Sequence, residues 1–180
     1  MKHGFLRYGI PLAACVGLIG VVAAHDGSVS AETAAPRIQF SGENVGPRSI
    51  EDLTSKSVPR DYRLAWQTME EALRENQIHA LDGYFTGSAK QDLTERVNSQ
   101  LKSGLTTRIE DHGHQVEAIF YSPAGDAMQL RDHARLEMQV LDGGKVIYEE
   151  PVTAEYYVIM SPGADRWLVR QMQTVSGEKP

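Results

Sequence analysis

The run Met128-Gln129-Leu130-Arg131-Asp132-His133-Ala134-Arg135-Leu136-Glu137-Met138-Gln139-Val140 alternates with a period of two. Met128, Leu130, Ala134, Leu136, Met138 and Val140 share one parity; Gln129, Arg131, His133, Arg135, Glu137 and Gln139 share the other. Such alternation marks a long strand with one face on a core and one in water. Asp142-Gly143-Gly144 follows as a tight hairpin signal. Residues 145–160 return as a second strand with Val146, Tyr148, Val152, Ala154, Tyr156, Val158 and Met160 in phase. Ser161-Pro162-Gly163-Ala164-Asp165 turns again, and 166–175 closes the sheet around Trp167, Leu168, Val169 and Met172. Upstream, 114–121 reads as a strand that ends at the turn Pro123-Ala124-Gly125-Asp126.

Before Gly104 the period is helical. Tyr62, Trp66, Met69 and Leu73 fall at i, i+4, i+7 and i+11, one face of a helix. Ser57 reads as its cap, with Pro59 in the first turn. Ile78, Leu81 and Phe85 continue the pattern past Asp82-Gly83 as a second helix. Ser88 caps a third, bearing Ala89, Leu93, Val97 and Leu101, and Gly104 is the stop. Three helices before a meander of long strands predict an α+β fold, with the helices packed on a curved antiparallel sheet.

The 180-residue chain carries 18 basic and 24 acidic residues, a net charge of −6. That balance repels phosphate backbones and argues against nucleic acid as a partner. The one cysteine, Cys15, excludes an internal disulfide and a Cys-based metal site. Lys2 and Arg7 precede an uncharged stretch, 8–24, and Val29-Ser30-Ala31 has the small-residue pattern of a signal-peptidase site. Residues 1–31 are therefore expected to be an export signal, either cleaved after Ala31 or kept as a membrane anchor. Leu12-Ala13-Ala14-Cys15 looks like a bacterial lipobox, but 16–24 continues the apolar run, so the cysteine reads as one among apolar neighbours. Residues 32–58 read as a polar linker or arm, with a short helical turn near 50–54 suggested by Ser49-Ile50-Glu51-Asp52. The folded domain is expected over 59–176.

In this organisation, over 62–104, 128–160 and the Trp167 strand, the chain resembles the nuclear transport factor 2-like superfamily. The resemblance implies a cone-like fold. It covers about two-thirds of the sequence and concerns arrangement, not a catalytic motif. Its look-alikes are membrane-tethered, extracytoplasmic accessory proteins: type IV secretion assembly factors, proteins of bacterial lipid-uptake operons, and plastid-division and mitochondrial-import domains. These relatives mostly bind proteins, which implies a scaffold in a membrane-associated assembly, self-association included. Ketosteroid isomerase and scytalone dehydratase share the superfamily and use the open mouth of the cone as a pocket. A small pocket enzyme, or a carrier of small ligands, is thus the alternative.

Asp132 is the best catalytic candidate, because it shares the parity of Leu130 and Ala134. Buried among apolar neighbours, it would have its pKa raised, as a general base requires. The alternatives are a bulge at that point or pairing with Arg131 or an arginine across the sheet. Glu150 is a similar case, with Pro151 pointing to a bulge or an edge. Tyr84, His114, Tyr121, Tyr148 and Tyr156 join Asp132 as pocket candidates. His112 and His114 share a face and His133 approaches from the next strand, a weak zinc pattern in what reads as a polar bend. Solvated histidines are the default, and neither a metal nor another cofactor is expected. No nucleophile elbow and no phosphate-cradling glycine loop occurs.

Overall fold

A computed structural model describes residues 35–175. The expected export segment, with Cys15 and its lipobox-like context, lies outside the described residues. The described chain runs β1 (Ile38–Ser41), α1 (Asp52–Glu75), a 3-10 turn (Ile78–Gly83), α2 (Gly87–Ser103), β2 (Leu105–Tyr121), β3 (Met128–Asp142), β4 (Lys145–Pro162) and β5 (Trp167–Val175). The five strands form one sheet in sequence order. Helices pack against it, as the change of period at Gly104 predicts. No helix among the described residues is long and apolar enough to cross a membrane.

The sheet is mixed, not purely antiparallel. β1 pairs parallel to β2 from Ile38↔His114 to Ser41↔Glu117, and every other pairing is antiparallel. β1 lies in the stretch 32–58 read as a polar arm. Its four residues are too few to show a period, yet Ile38 and Phe40 pack against the core, as do Val45 and Ile50. The first two turns of α1 also fall in that stretch. Glu51 holds the N-cap position without a side-chain hydrogen bond, so neither Ser49 nor Ser57 is the cap. Ser57 lies inside α1 and its hydroxyl donates to the Thr54 carbonyl. Pro59 sits in the helix interior, where it has no N–H to offer the Ser55 carbonyl. The sequence hides this start because the first six residues of α1 are polar apart from Leu53, which is exposed.

The middle helix of the three expected is only the 3-10 turn. Asn76 ends α1 in the left-handed region at φ 53°, and seven residues remain before Tyr84, six of them in the 3-10 turn. Ile78 and Leu81 are three apart, which a 3-10 turn stacks on one side, and Leu81 is buried. α2 ends on Gly104, at φ 70°, as expected. Gln100 ties the helix ends to the sheet: its amide donates to the Leu73 carbonyl (2.8 Å) and to Asn76 (2.7 Å), and it accepts from Thr107 (2.6 Å).

The β3–β4 hairpin pairs over its full length, as β2–β3 does, and it turns on Gly143 and Gly144, both at positive φ (55° and 84°). The sheet thereby follows its own twist. Tyr62, Trp66, Leu73, Leu81, Met128, Leu130, Val158, Met160 and Val169 are fully buried between helices and sheet. Each such side chain contributes about 1.5–3 kcal/mol by leaving water. Bulges shift the phase of the strands in several places. In β2 the shift between Ala118 and Phe120 turns Tyr121 inward and leaves Phe120 exposed. Asp111-His112-Gly113-His114, read as a bend between helix and sheet, is instead the middle of β2 and carries another bulge. Among the described residues β5 covers only the second half of β4, from Glu155, and residues 145–154 have no strand on that side. Glu150 and Pro151 lie on that edge, exposed.

Candidate functional site

In a regular strand, Asp111 and His114 would face opposite sides of the sheet, because three positions separate them. The bulge at His112 adds one residue against the partner strand: Asp111 faces Leu136 and Gly113 faces Arg135. The phase is reset, and both side chains turn inward, 1% and 0% exposed. Gly113 supplies the backbone for this at φ 121°, a region that side chains disfavour, and its N–H donates to Asp111 Oδ1 at 2.5 Å. β3 delivers Asp132, also fully buried, from the neighbouring strand. α1 delivers Tyr62, Trp66 and Glu70 from above the sheet.

These groups form one chain of hydrogen bonds. The Tyr62 hydroxyl donates to Asp132 Oδ2 at 2.7 Å, and His114 Nδ1 donates to the same oxygen at 2.8 Å. His114 Nε2 donates to Asp111 Oδ2 at 2.9 Å. Burial by itself would lower the His114 pKa. The bonds to Asp111 and Asp132 outweigh it and hold the imidazole at about 9, so both ring nitrogens carry protons at neutral pH. The Trp66 ring lies 4.5 Å from the His114 ring and caps it. Burial, then the Asp132 charge, pushes the Tyr62 hydroxyl well above its ordinary value. Glu70 stands beside this cluster. Burial first and the Asp111 charge second raise its carboxyl to about 7.

The arrangement is buried, and Asp132 Oδ1 has no hydrogen-bond partner among the described residues. Neither alternative for Asp132 is met: the bulge lies elsewhere, and its partners are Tyr62 and His114 in place of an arginine. Both nitrogens of His114 are engaged, so the ring has no lone pair for a substrate proton. The cavity between α2 and the sheet, about 190 Å³, is lined by Trp66, Met69, Leu93, Met138, Tyr156 and Met172 among others. Asp132 and His114 do not line it.

The other candidates divide among several places. Tyr156 faces Asp132 across the β3–β4 pairing and packs edge-on against Trp66 at 5.6 Å, and burial raises its pKa. Tyr84 lies by β5 under the Arg166 guanidinium. Tyr121 is buried beside Trp167, its hydroxyl donating to Glu51. Tyr148 is exposed on the hairpin and bonds Glu150. The three histidines do not converge on one point. His114 faces the core, whereas His133 is on the outer face, 3.6 Å from Glu155. His112 is the exposed residue of the bulge. Among the described residues, no group of three or more His, Cys, Asp or Glu side chains is arranged to hold a metal ion.

Asp111, Glu70 and Asp61 escape a reading by period, and Tyr62 is read by period only as core. Asp61 is buried, bonded to Arg60 and accepting the Trp167 N–H at 2.8 Å, and so pins α1 to β5. Asp61 and Glu70 do carry one signal: each is an acidic residue directly beside the apolar stripe of α1, at Tyr62 and Met69.

No family model and no curated protein matches the chain. Among solved structures, the fold is similar to the intermembrane space region of the chloroplast protein ARC6, known from its crystal structure. The TM-score is 0.61 at 13% identity, over 72% of this chain and 98% of that one. At that identity the likeness concerns the fold.

Proposed function

We propose that this chain is an extracytoplasmic, membrane-associated binding and scaffold module of nuclear transport factor 2-like organisation. The observation that carries the reading is the burial of Asp132, whose bonds go to Tyr62 and a protonated His114. A general base needs a path to its substrate, and Asp132 lies fully buried and away from the cavity between α2 and the sheet. That burial weighs against the isomerase or dehydratase alternative. The carrier alternative finds only about 190 Å³ in the cavity between α2 and the sheet, below the roughly 300–1,000 Å³ of ordinary ligand pockets, and the larger depressions lie on the surface. Support for a protein partner comes from the open half of β4, where Val146, Ile147 and Tyr148 stand exposed. The likeness to a domain that lies in an intermembrane space agrees with a place outside the cytoplasm. That place rests on the charge and apolar pattern of 1–31.

The test has two readouts on one tagged chain. A fusion of residues 1–60 to a reporter active only outside the cytoplasm should be active. The full chain, solubilised gently from membranes, should migrate on a native gel as an assembly larger than its 19.9 kDa. A chain found free and monomeric in the cytoplasm would overturn the proposal.

A further inference from the structure

We propose that the surface around β1 binds an acidic, carboxylate-rich segment of a protein partner. This rests on the reading of the chain as a protein-binding module and names the chemistry of one partner. Two depressions meet there. One, about 560 Å³, is bordered by Arg37, His112, His133 and Arg135. The other, about 500 Å³, lies between β1 and α1 and is bordered by Arg37, Arg60 and Arg63. Among the described residues no Asp or Glu lines either one, in a chain with 24 acidic against 18 basic residues. The side chains that line them are thus basic or neutral, which favours an anionic partner.

All four arginines are exposed. Arg60 is engaged with Asp61, but among the described residues the side chains of Arg37, Arg63 and Arg135 form no salt bridge. Gly113 lies between two of them: a Cβ there would be in ordinary contact with the Arg37 carbonyl (3.8 Å) and a guanidinium nitrogen of Arg135 (3.9 Å). Planar guanidiniums match carboxylates in a two-pronged fashion. Their distribution points to a segment and not to a single ion, because the charges extend from α1 past β1 to β3. Among the described residues β1 is also the last strand of the sheet, with no strand on its outer side. An extended peptide can take main-chain hydrogen bonds from that edge while its carboxylates meet Arg37 and Arg135.

Fluorescence anisotropy of a labelled octaglutamate peptide with the purified full chain tests this. Saturable binding is expected, weakened at least about tenfold in the Arg37→Gln, Arg135→Gln double variant, a change of about 1.4 kcal/mol. The Arg108→Gln variant, on a distant part of β2, should bind as the parent does. Thermal melts of each variant keep folding separate from binding. Equal affinity in the double variant would overturn the proposal. So would displacement of the peptide by inorganic phosphate at equal charge concentration, which would mean a site for single anions. Binding to phosphatidylglycerol vesicles without binding to the peptide would assign the surface to membranes and overturn it as well. Loss of peptide binding with the membrane assembly intact on the native gel would sink this inference alone.

Discussion

His114 Nδ1 lies 2.8 Å from Asp132 Oδ2, and the pair closes a chain that runs from the Tyr62 hydroxyl to Asp111. A helix, the bulged strand and the cleanest strand of the sheet thus meet through buried polar groups. Such a network rigidifies a core when its members are satisfied and is costly when one is removed.

Asp132→Asn should therefore destabilise the domain at neutral pH, by about 1–3 kcal/mol for a lost buried charge-assisted bond. The amide leaves the His114 imidazolium with one carboxylate in place of two. Thermal melts at pH 7 check this. A midpoint equal to or above that of the parent would mean that Asp132 is an unpaired buried charge.

Stability should fall as the pH rises from about 5 to about 9. The His114 pKa is raised from 6.5 to about 9 in the fold, so its contribution is fully present below 6.5 and lost as pH passes through 9. Glu70 is raised from 4.5 to about 7, so the fold prefers its neutral form, and that preference is lost as pH rises through 7. Each shift corresponds to roughly 3 kcal/mol. Glu70→Gln should flatten the profile between 4.5 and 7 and leave the fall towards 9 in place. Urea midpoints across that range are the measurement. A Gln variant with the parent's profile would show that Glu70 is not the titrating group.

Trp66→Ala should cost about 3–5 kcal/mol, since the ring is buried and caps His114. Denaturant unfolding would report it, and an unchanged midpoint would contradict the packing of α1 on the sheet.

Gly113→Ala should destabilise by about 1–3 kcal/mol, because φ 121° is held by the bulge that turns Asp111 inward. Gly83→Ala is the matched control: its nearest neighbour is an Arg166 nitrogen at 4.0 Å and its backbone is ordinary. Equal melting points for the two variants would mean that the bulge relaxes freely.

Periodicity determined the larger part of this fold. The alternation from Met128 to Val140 places one long strand, its inward parity and the buried position of Asp132. The helical spacing of Tyr62, Trp66, Met69 and Leu73 selects the buried face of α1. The glycines at 104, 143 and 144 mark where direction must change, since each takes a positive φ. These features are local: sterics, hydrogen bonding and the side of a strand or helix follow from residues a few positions apart.

Three features were decided only in the tertiary structure. The parallel pairing of β1 is a contact between residues some 75 positions apart, and a four-residue strand leaves no period to read. The 3-10 turn stands in place of a helix because only seven residues separate Asn76, which ends α1, from Tyr84. The partner of Asp132 depends on the bulge at His112. One inserted residue reverses the face of everything beyond it, and nothing local in Asp111-His112-Gly113-His114 says against which strand it will be counted. Sequence therefore placed a carboxylate in the core, and the register between β2 and β3 decided that a histidine would meet it there.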